Sequence, residues 1–93
     1  MISDNPRDSA GIDHVYVYLD DWCPACMEYK VTLNKVKSEQ NIDIEFSLPP
    51  GATVHSIPTT YFLKGSRYYT WSGFMPYSMF MSVYRHIAEF EEE

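Results

Sequence analysis

Two cysteines stand three residues apart in the segment Cys23-Pro24-Ala25-Cys26, and their type and spacing suit them to chemistry. Two thiols at positions i and i+3 of a helix start are close enough to form a disulfide with little strain. Closing so short a loop adds little stability through chain entropy. The pair therefore indicates redox chemistry or metal binding rather than a structural cross-link.

Zinc binding is one of these two uses of the cysteine pair, but the sequence offers too few ligands for it. A closed zinc site uses four ligands, and this sequence has no second C-x-x-C pair. Its three histidines, His14, His55 and His86, are widely separated and show no paired ligand spacing. We interpret them as surface or packed residues, and we expect neither a metal nor a cofactor.

The segment around the cysteines predicts a strand followed by a helix. Residues 15–19 form a β-branched and aromatic run that is typical of a strand buried on both sides. From Pro24 to about Gln40 the periodicity predicts a helix, with Pro24 well suited to its first position. The predicted buried stripe of this helix consists of Cys26, Tyr29, Leu33 and Val36.

This arrangement predicts different roles for the two thiols. Cys23 falls at the amino end of the helix, where free N–H groups and the helix dipole favour the thiolate. The thiolate is the nucleophile in disulfide exchange. Cys26 lies one turn further on, on the core-facing stripe. We expect Cys23 to attack a substrate disulfide and Cys26 to resolve the mixed disulfide from within.

The rest of the chain predicts three more strands and one more helix. The strands cover residues 42–46, 59–63 and 67–72, and a tight turn at 64–66 makes the last two an antiparallel hairpin. Residues 47–56 are predicted to be a loop with one helical turn at 52–55. The last helix begins at Pro76, with its apolar stripe at Phe80, Val83, Tyr84 and Ile87. The order, β-α-β then β-β-α, predicts an α/β fold: a mixed four-stranded sheet with helices on both faces.

The length of the chain indicates a single small domain, and its net charge argues against several kinds of binding partner. The 93 residues fit a flexible leader at 1–13 and one domain at 14–93. The net charge of −6 argues against nucleic-acid binding and against adhesion to anionic membranes. The sequence has no apolar run of membrane-spanning length, and its first residues lack the apolar core of a signal peptide. We expect a cytoplasmic monomer.

Four signals follow one another in a recognisable order. The first is Trp22 with the cysteine pair, which follows an apolar strand and opens a helix. The second is Ile57-Pro58-Thr59, which leads into the third strand. The third is Lys64-Gly65 at the hairpin turn, and the fourth is Ser72-Gly73 after the fourth strand. Each signal is weak alone, but the ordered set resembles the thioredoxin family over residues 15–90.

The resemblance implies a cis-proline at Pro58, packed beside the cysteines, in preference to an ordinary trans loop proline. By this likeness the backbone of Ile57 hydrogen-bonds an extended substrate strand, and Pro24 belongs to the substrate-binding surface. The apolar rim that receives a partner is expected to comprise Trp22, Ile57, Gly73 and Phe74. For Trp22, packing in the core is the alternative.

Two departures from the thioredoxin pattern concern the cysteine site. The residues between the cysteines are Pro-Ala instead of Gly-Pro, which is more similar to glutaredoxins and bacterial thiol oxidases. Val17 occupies the position of the family's buried aspartate, so the usual proton acceptor for the second cysteine is missing. Asp20, Asp21 or water are the substitutes that the sequence offers. Acidic groups so close to a helix start more often complement the helix dipole.

The chain is also glutaredoxin-like in length, but the glutathione anchors of that subfamily are not evident. Asp20-Asp21 precedes the motif where a lysine is usual, and residues 72–76 lack the Gly-Gly pair and nearby aspartate. The segment between the second strand and Pro58 is short, so the helix expected there is reduced or missing.

The predicted function is electron transport to protein disulfides through Cys23 and Cys26, in a protein-disulfide reductase. The predicted partners are disulfide-containing proteins and an electron donor that is either thioredoxin reductase-like or glutathione-based. Two alternatives stay open. One is a non-catalytic binding module that docks through residues 74–77, and the other is an oxidant or isomerase that uses the same cysteines.

Overall fold

A computed structural model of the protein describes residues 12–53 and 56–89. It contains β1 (His14–Tyr18), α1 (Pro24–Gln40), β2 (Ile44–Glu45), β3 (Thr59–Lys64), β4 (Arg67–Ser72) and α2 (Tyr77–Glu89). The predicted order β-α-β then β-β-α is confirmed. Of the helical turn predicted at 52–55, Ala52 and Thr53 are not helical, and the other two residues lie outside the described part. Most of the predicted leader, residues 1–11, also lies outside it.

The sheet is mixed and four-stranded, as predicted, with the strand order β2-β1-β3-β4. β1 pairs with β2 in parallel, while β1 with β3 and β3 with β4 are antiparallel. The hairpin turns at Gly65, whose φ of 65° is a conformation that glycine adopts without steric cost. β2 is shorter than predicted, because Asn41 ends α1 in a left-handed conformation and the chain joins the sheet only at Ile44.

Both helices lie against the same face of the sheet. The Tyr29 hydroxyl of α1 is 2.6 Å from Thr60 Oγ1, and the Phe80 ring of α2 lies 5.7 Å from the ring of Phe62. Thr60 and Phe62 are two residues apart in β3, so their side chains share one face. The expected placement of helices on both faces is therefore wrong for residues 12–53 and 56–89. The physical reason is the short connection from β2 to β3, whose described residues form no helix.

The opposite face of the sheet carries tyrosines. Along β1, Val15 and Val17 are buried on the helix side, while Tyr16 and Tyr18 are half-exposed on the other side. The prediction that β1 is buried on both sides is therefore wrong. A tyrosine fits such a face because its ring packs on neighbouring rings while its hydroxyl reaches water.

The core lies between the sheet and the two helices. The four residues of the predicted α1 stripe are all buried, with Tyr29, Leu33 and Val36 each 0 % exposed. On α2, Phe80, Met81 and Ile87 are buried. Each such side chain contributes roughly 1.5–3 kcal/mol when it is fully removed from water. Within the described part of the chain, neither helix has the length and apolar character to cross a membrane.

β3 and the turn after it form hydrogen bonds with the residue before β1 and with the carboxyl end of α2. Asp13, which the prediction assigned to the leader, donates its N–H to the Leu63 carbonyl at 2.7 Å and accepts the Gly65 N–H at 2.9 Å. Lys64 Nζ donates to the carbonyl oxygens of Ile87 and Ala88 at 2.8 and 3.3 Å, at the carboxyl end of α2. A cation at that end of a helix is favourable, because unpaired carbonyls and the helix dipole are negative there.

Candidate active site

Cys23 caps the amino end of α1. Its backbone is extended (φ −94°, ψ 114°), and its sulfur accepts a hydrogen bond from the Cys26 N–H at 3.2 Å. Pro24 follows as the first helical residue, where its lack of an N–H removes no helix hydrogen bond. The Cys23 side chain is half-exposed. A reachable sulfur thus sits where backbone N–H groups can stabilise negative charge.

Cys26 is the protected member of the pair. It lies one helical turn after Cys23 and is 1 % exposed, and both thiols are free. Burial raises the pKa of the Cys26 thiol, and the hydrogen bond to Cys23 and the nearby charges of Cys23 and Asp20 raise it further. A hydrogen bond from the Asp20 backbone acts in the opposite direction. Cys26 therefore holds its proton while Cys23 is the thiol in reach of a substrate.

Three chain segments meet at the end of the sheet from which the cysteine loop leaves. Tyr18, the last residue of β1, pairs with Thr59, which in turn pairs with Ser72 at the end of β4. Pro58 precedes Thr59, and Gly73 follows Ser72, so these two lie at the same end. The Ile57–Pro58 peptide bond is cis, and Pro58 is buried. The Gly73 N–H donates to the Pro58 carbonyl at 2.7 Å.

A buried tyrosine of α1 contacts the residues at this end of the sheet. Tyr29 hydrogen-bonds Thr60, two residues after Pro58, and its ring lies edge-to-face with Phe74 at 5.7 Å, next to Gly73. Tyr29 is itself one turn after Cys26 on α1. One side chain therefore links the helix of the cysteines to the Pro58 and Gly73 segments. Helical periodicity predicts Tyr29 as a core residue, but it gives no sign of this connecting position.

The predicted apolar rim is divided between exposed and half-buried residues. Trp22 is 78 % exposed, so the alternative of core packing for this residue is wrong. Ile57 and Gly73 are half-buried, and Phe74 packs partly against the core. Ile57 and Gly73 lie at the same end of the sheet, whereas the role of the four rim residues in binding stays a prediction.

A groove of about 350 Å³ lies beside Cys26. It is lined by Asp20, Asp21, Cys26, Met27, Lys30, Val31 and Asn34. Val17 is fully buried in β1 and carries no polar group, so the carboxylates of this region come from the loop after the strand. Both aspartates that the sequence offered as substitutes thus line the same groove as the buried thiol.

Met27 and Val31 are the groove residues that sequence reasoning missed. They are 55 % and 71 % exposed, on the side of α1 that faces away from the buried stripe. Their spacing of four residues was a usable signal, because it places two apolar side chains next to each other on a helix surface.

The histidines lie apart from the cysteines. His14 Nε2 is 3.0 Å from Glu45 Oε1 on the tyrosine face, His86 lies on α2, and His55 is outside the described residues. In the part of the chain that the structure covers, no three His, Cys, Asp or Glu side chains cluster closely enough to hold a metal ion.

The known proteins that this chain is similar to are solved structures. No protein-family model and no curated protein sequence matches the chain. Chloroplastic thioredoxin z aligns with a TM-score of 0.66 and 17% identity, covering 86% of this chain and 81% of that one. Thioredoxin from Aeropyrum pernix gives a TM-score of 0.65 and 20% identity, covering 87% and 79% of the two chains.

Thioredoxin O2 from Arabidopsis thaliana gives a TM-score of 0.63 and 16% identity, covering 85% of this chain and 77% of that one. At such identities the likeness concerns the backbone alone. It agrees with the mixed four-stranded sheet and its two helices. The chain therefore has a thioredoxin-like fold.

Proposed function

We propose that this protein is a thiol–disulfide oxidoreductase that reduces disulfides of other proteins. The observation that carries the proposal is the asymmetry of the pair. Cys23 is half-exposed at the helix start and accepts the Cys26 N–H, while the Cys26 thiol is buried one turn behind it. Dithiol exchange requires this division between an accessible and a protected thiol.

The reaction begins with the Cys23 thiolate. It attacks one sulfur of the substrate disulfide, which forms a mixed disulfide and releases the first substrate thiolate. Cys26 then loses its proton and attacks the Cys23 sulfur. The second substrate thiolate leaves, and the protein retains a Cys23–Cys26 disulfide. Two electrons have passed from the protein dithiol to the substrate.

The surroundings of Cys23 support a protein as substrate. Trp22 exposes a large apolar ring directly before the nucleophile, and exposed aromatic side chains are common anchors in protein interfaces. Ile57 and Gly73 lie at the same end of the sheet, where an extended substrate segment is proposed to bind the Ile57 backbone. Re-reduction of the protein disulfide requires a donor, which we propose is a thioredoxin reductase-like or glutathione-based system.

The test uses two cysteine variants in an insulin disulfide-reduction assay. Cys23→Ser is expected to abolish reduction, and Cys26→Ser is expected to accumulate a covalent mixed disulfide that mass spectrometry detects. Wild-type activity in Cys23→Ser would contradict the proposal. A protein complex that persists when both cysteines are serine would instead favour the non-catalytic binding module.

The direction of electron flow, the cytoplasmic location and the monomeric state stay predictions. The Pro-Ala dipeptide between the cysteines is compatible with an oxidant or isomerase as well as with a reductant, so the reduction potential separates these cases.

A further inference from the structure

Exposed apolar side chains are concentrated beside the cysteines. Among the described residues, four large hydrophobic side chains are exposed: Trp22 at 78 %, Met27 at 55 %, Val31 at 71 % and Tyr68 at 40 %. The first three fall within ten residues of one another, around the start of α1. Single exposed hydrophobic residues are ordinary on a protein surface, but a group beside a reactive thiol marks a surface for a partner.

Met27 and Val31 border the same groove as the Cys26 thiol. They are one helical turn apart, so their side chains are neighbours on the solvent side of α1. The groove of about 350 Å³ is large enough to receive a side chain of a docked segment. Asp20 and Asp21 in its lining belong to the loop that leads into Cys23, so the groove reaches the part of the chain that carries the nucleophile.

The charges of the groove indicate the chemistry of the occupant. Asp20 and Asp21 line the groove, and Glu28 is exposed on α1 outside its lining. The lysine in the groove wall, Lys30, has its ammonium 5.6 Å from the ring centroid of Phe46, where a cation–π contact holds it. Carboxylates beside an apolar border favour a partner segment that combines an apolar with a cationic side chain.

We propose that Met27, Val31 and the groove they border bind a segment of a disulfide-bearing protein that carries an apolar residue and a lysine or arginine next to its reactive cysteine. The proposal rests on the proposed function and names its substrate class. The surface differs from the predicted rim of Trp22, Ile57, Gly73 and Phe74, because it extends along the solvent side of α1.

The test measures single-turnover reduction by the pre-reduced protein, which needs no electron donor. Three probes are used: a peptide dimer joined by one disulfide with leucine and lysine next to each cysteine, a matched dimer with serine and glutamate in their places, and hydroxyethyl disulfide. Each rate is divided by the rate at which dithiothreitol reduces the same probe, so that intrinsic disulfide reactivity cancels.

We expect the wild-type protein to prefer the leucine–lysine dimer by about tenfold, the effect of losing one well-packed interface contact. Met27→Gln/Val31→Gln is expected to remove this preference, and added salt to weaken it. Glutamine is a good helix former, so the double variant should keep α1. The matched control is Tyr68→Gln, an exposed apolar residue on the tyrosine face, which should retain the preference.

Three outcomes would overturn the proposal. Equal normalised rates for the two peptide dimers, with hydroxyethyl disulfide still reduced, would refute the docking surface and leave the proposed function intact. A dimer in sedimentation analysis that Met27→Gln/Val31→Gln dissociates would assign the surface to a second copy of the chain. Failure of the wild-type protein to reduce any probe would contradict the proposed function itself.

Discussion

The Gly73 N–H donates a hydrogen bond of 2.7 Å to the carbonyl oxygen of Pro58, and this bond joins the end of β4 to the chain entering β3. Gly73 makes it with a φ of 106°, which side chains rarely adopt. A Cβ added there would meet no heavy atom within 4 Å. The constraint on this position is therefore its backbone conformation and not a steric clash. The geometry at Pro58 therefore depends on a glycine fifteen residues later in the chain.

Gly73→Ala is expected to destabilise the fold by about 2 kcal/mol, the usual cost of a strained backbone conformation. The comparison variant is Gly65→Ala, because a Cβ there also meets nothing within 4 Å but the φ of 65° lies in the ordinary left-handed region. Its expected cost is about 1 kcal/mol. Urea unfolding measures both values, and equal losses for the two variants would contradict the special role of Gly73.

Asp20 is the carboxylate that we expect to accept the proton of Cys26. Asp20 lines the groove of the buried thiol, and its charge is among the causes that raise the pKa of Cys26. Asp20→Asn has two opposing effects: it removes a base, and it removes a charge that disfavours the thiolate. General-base catalysis contributes about 10²–10⁴-fold. The Asp20 charge is the smallest cause of the raised pKa, so loss of the base should dominate.

The measurement for Asp20 is the release of a coloured thiol from a mixed disulfide preformed on Cys23. Asp20→Asn should slow release at neutral pH by at least about tenfold, and the deficit should shrink at high pH, where hydroxide deprotonates Cys26 directly. Asp21→Asn makes the same charge change in the same groove and should stay within about twofold of wild type. Release from Asp20→Asn at the wild-type rate or faster would leave water as the acceptor.

Tyr29 makes the stability of the fold sensitive to alkaline pH. Burial raises the pKa of Tyr29 far above its ordinary value of 10.0, although the hydrogen bond with Thr60 lowers it in part. The unfolded chain therefore releases this proton first. The stabilisation is fully present below pH 10 and is lost as the pH rises above it.

Tyr29→Phe tests this dependence. The variant should lose about 1–3 kcal/mol at neutral pH, because the Thr60 hydroxyl is left unpaired in the core. Its deficit relative to wild type should narrow near pH 11, since phenylalanine cannot ionise. Tyr77→Phe, whose hydroxyl makes exposed hydrogen bonds with Glu39 and Gln40, should change stability by less than about 0.5 kcal/mol. A Tyr29→Phe deficit that does not change with pH would contradict the argument.

Several features of this fold follow from patterns among residues that are close together in the sequence. The three- and four-residue spacing of Cys26, Tyr29 and Leu33 predicts the buried side of α1, because helical periodicity fixes which residues share a face. Pro24 marks the helix start, and Gly65 marks the hairpin turn. These local signals were sufficient to place both cysteines correctly in the secondary structure.

The features that the sequence did not predict depend on long-range packing. Tyr16 and Tyr18 continue an apolar run, but a tyrosine suits a buried or a half-exposed face equally, so the run could not reveal that the helices share one face. Met27 and Val31 were ambiguous for the same reason, since their burial depends on what lies over α1. The link from Tyr29 to Thr60 joins residues 31 positions apart and has no local signature.

The measurement that tests the central claim most directly is the reduction potential of the Cys23–Cys26 pair, determined by equilibration with glutathione buffers and mass analysis of the trapped thiols. A reductant should form an intramolecular disulfide with a potential between about −270 and −200 mV, the range of thioredoxins and glutaredoxins. A value near −120 mV would contradict the reductase and indicate an oxidant. If no disulfide forms between the two cysteines at any glutathione ratio, the account of the pair as a redox centre is wrong.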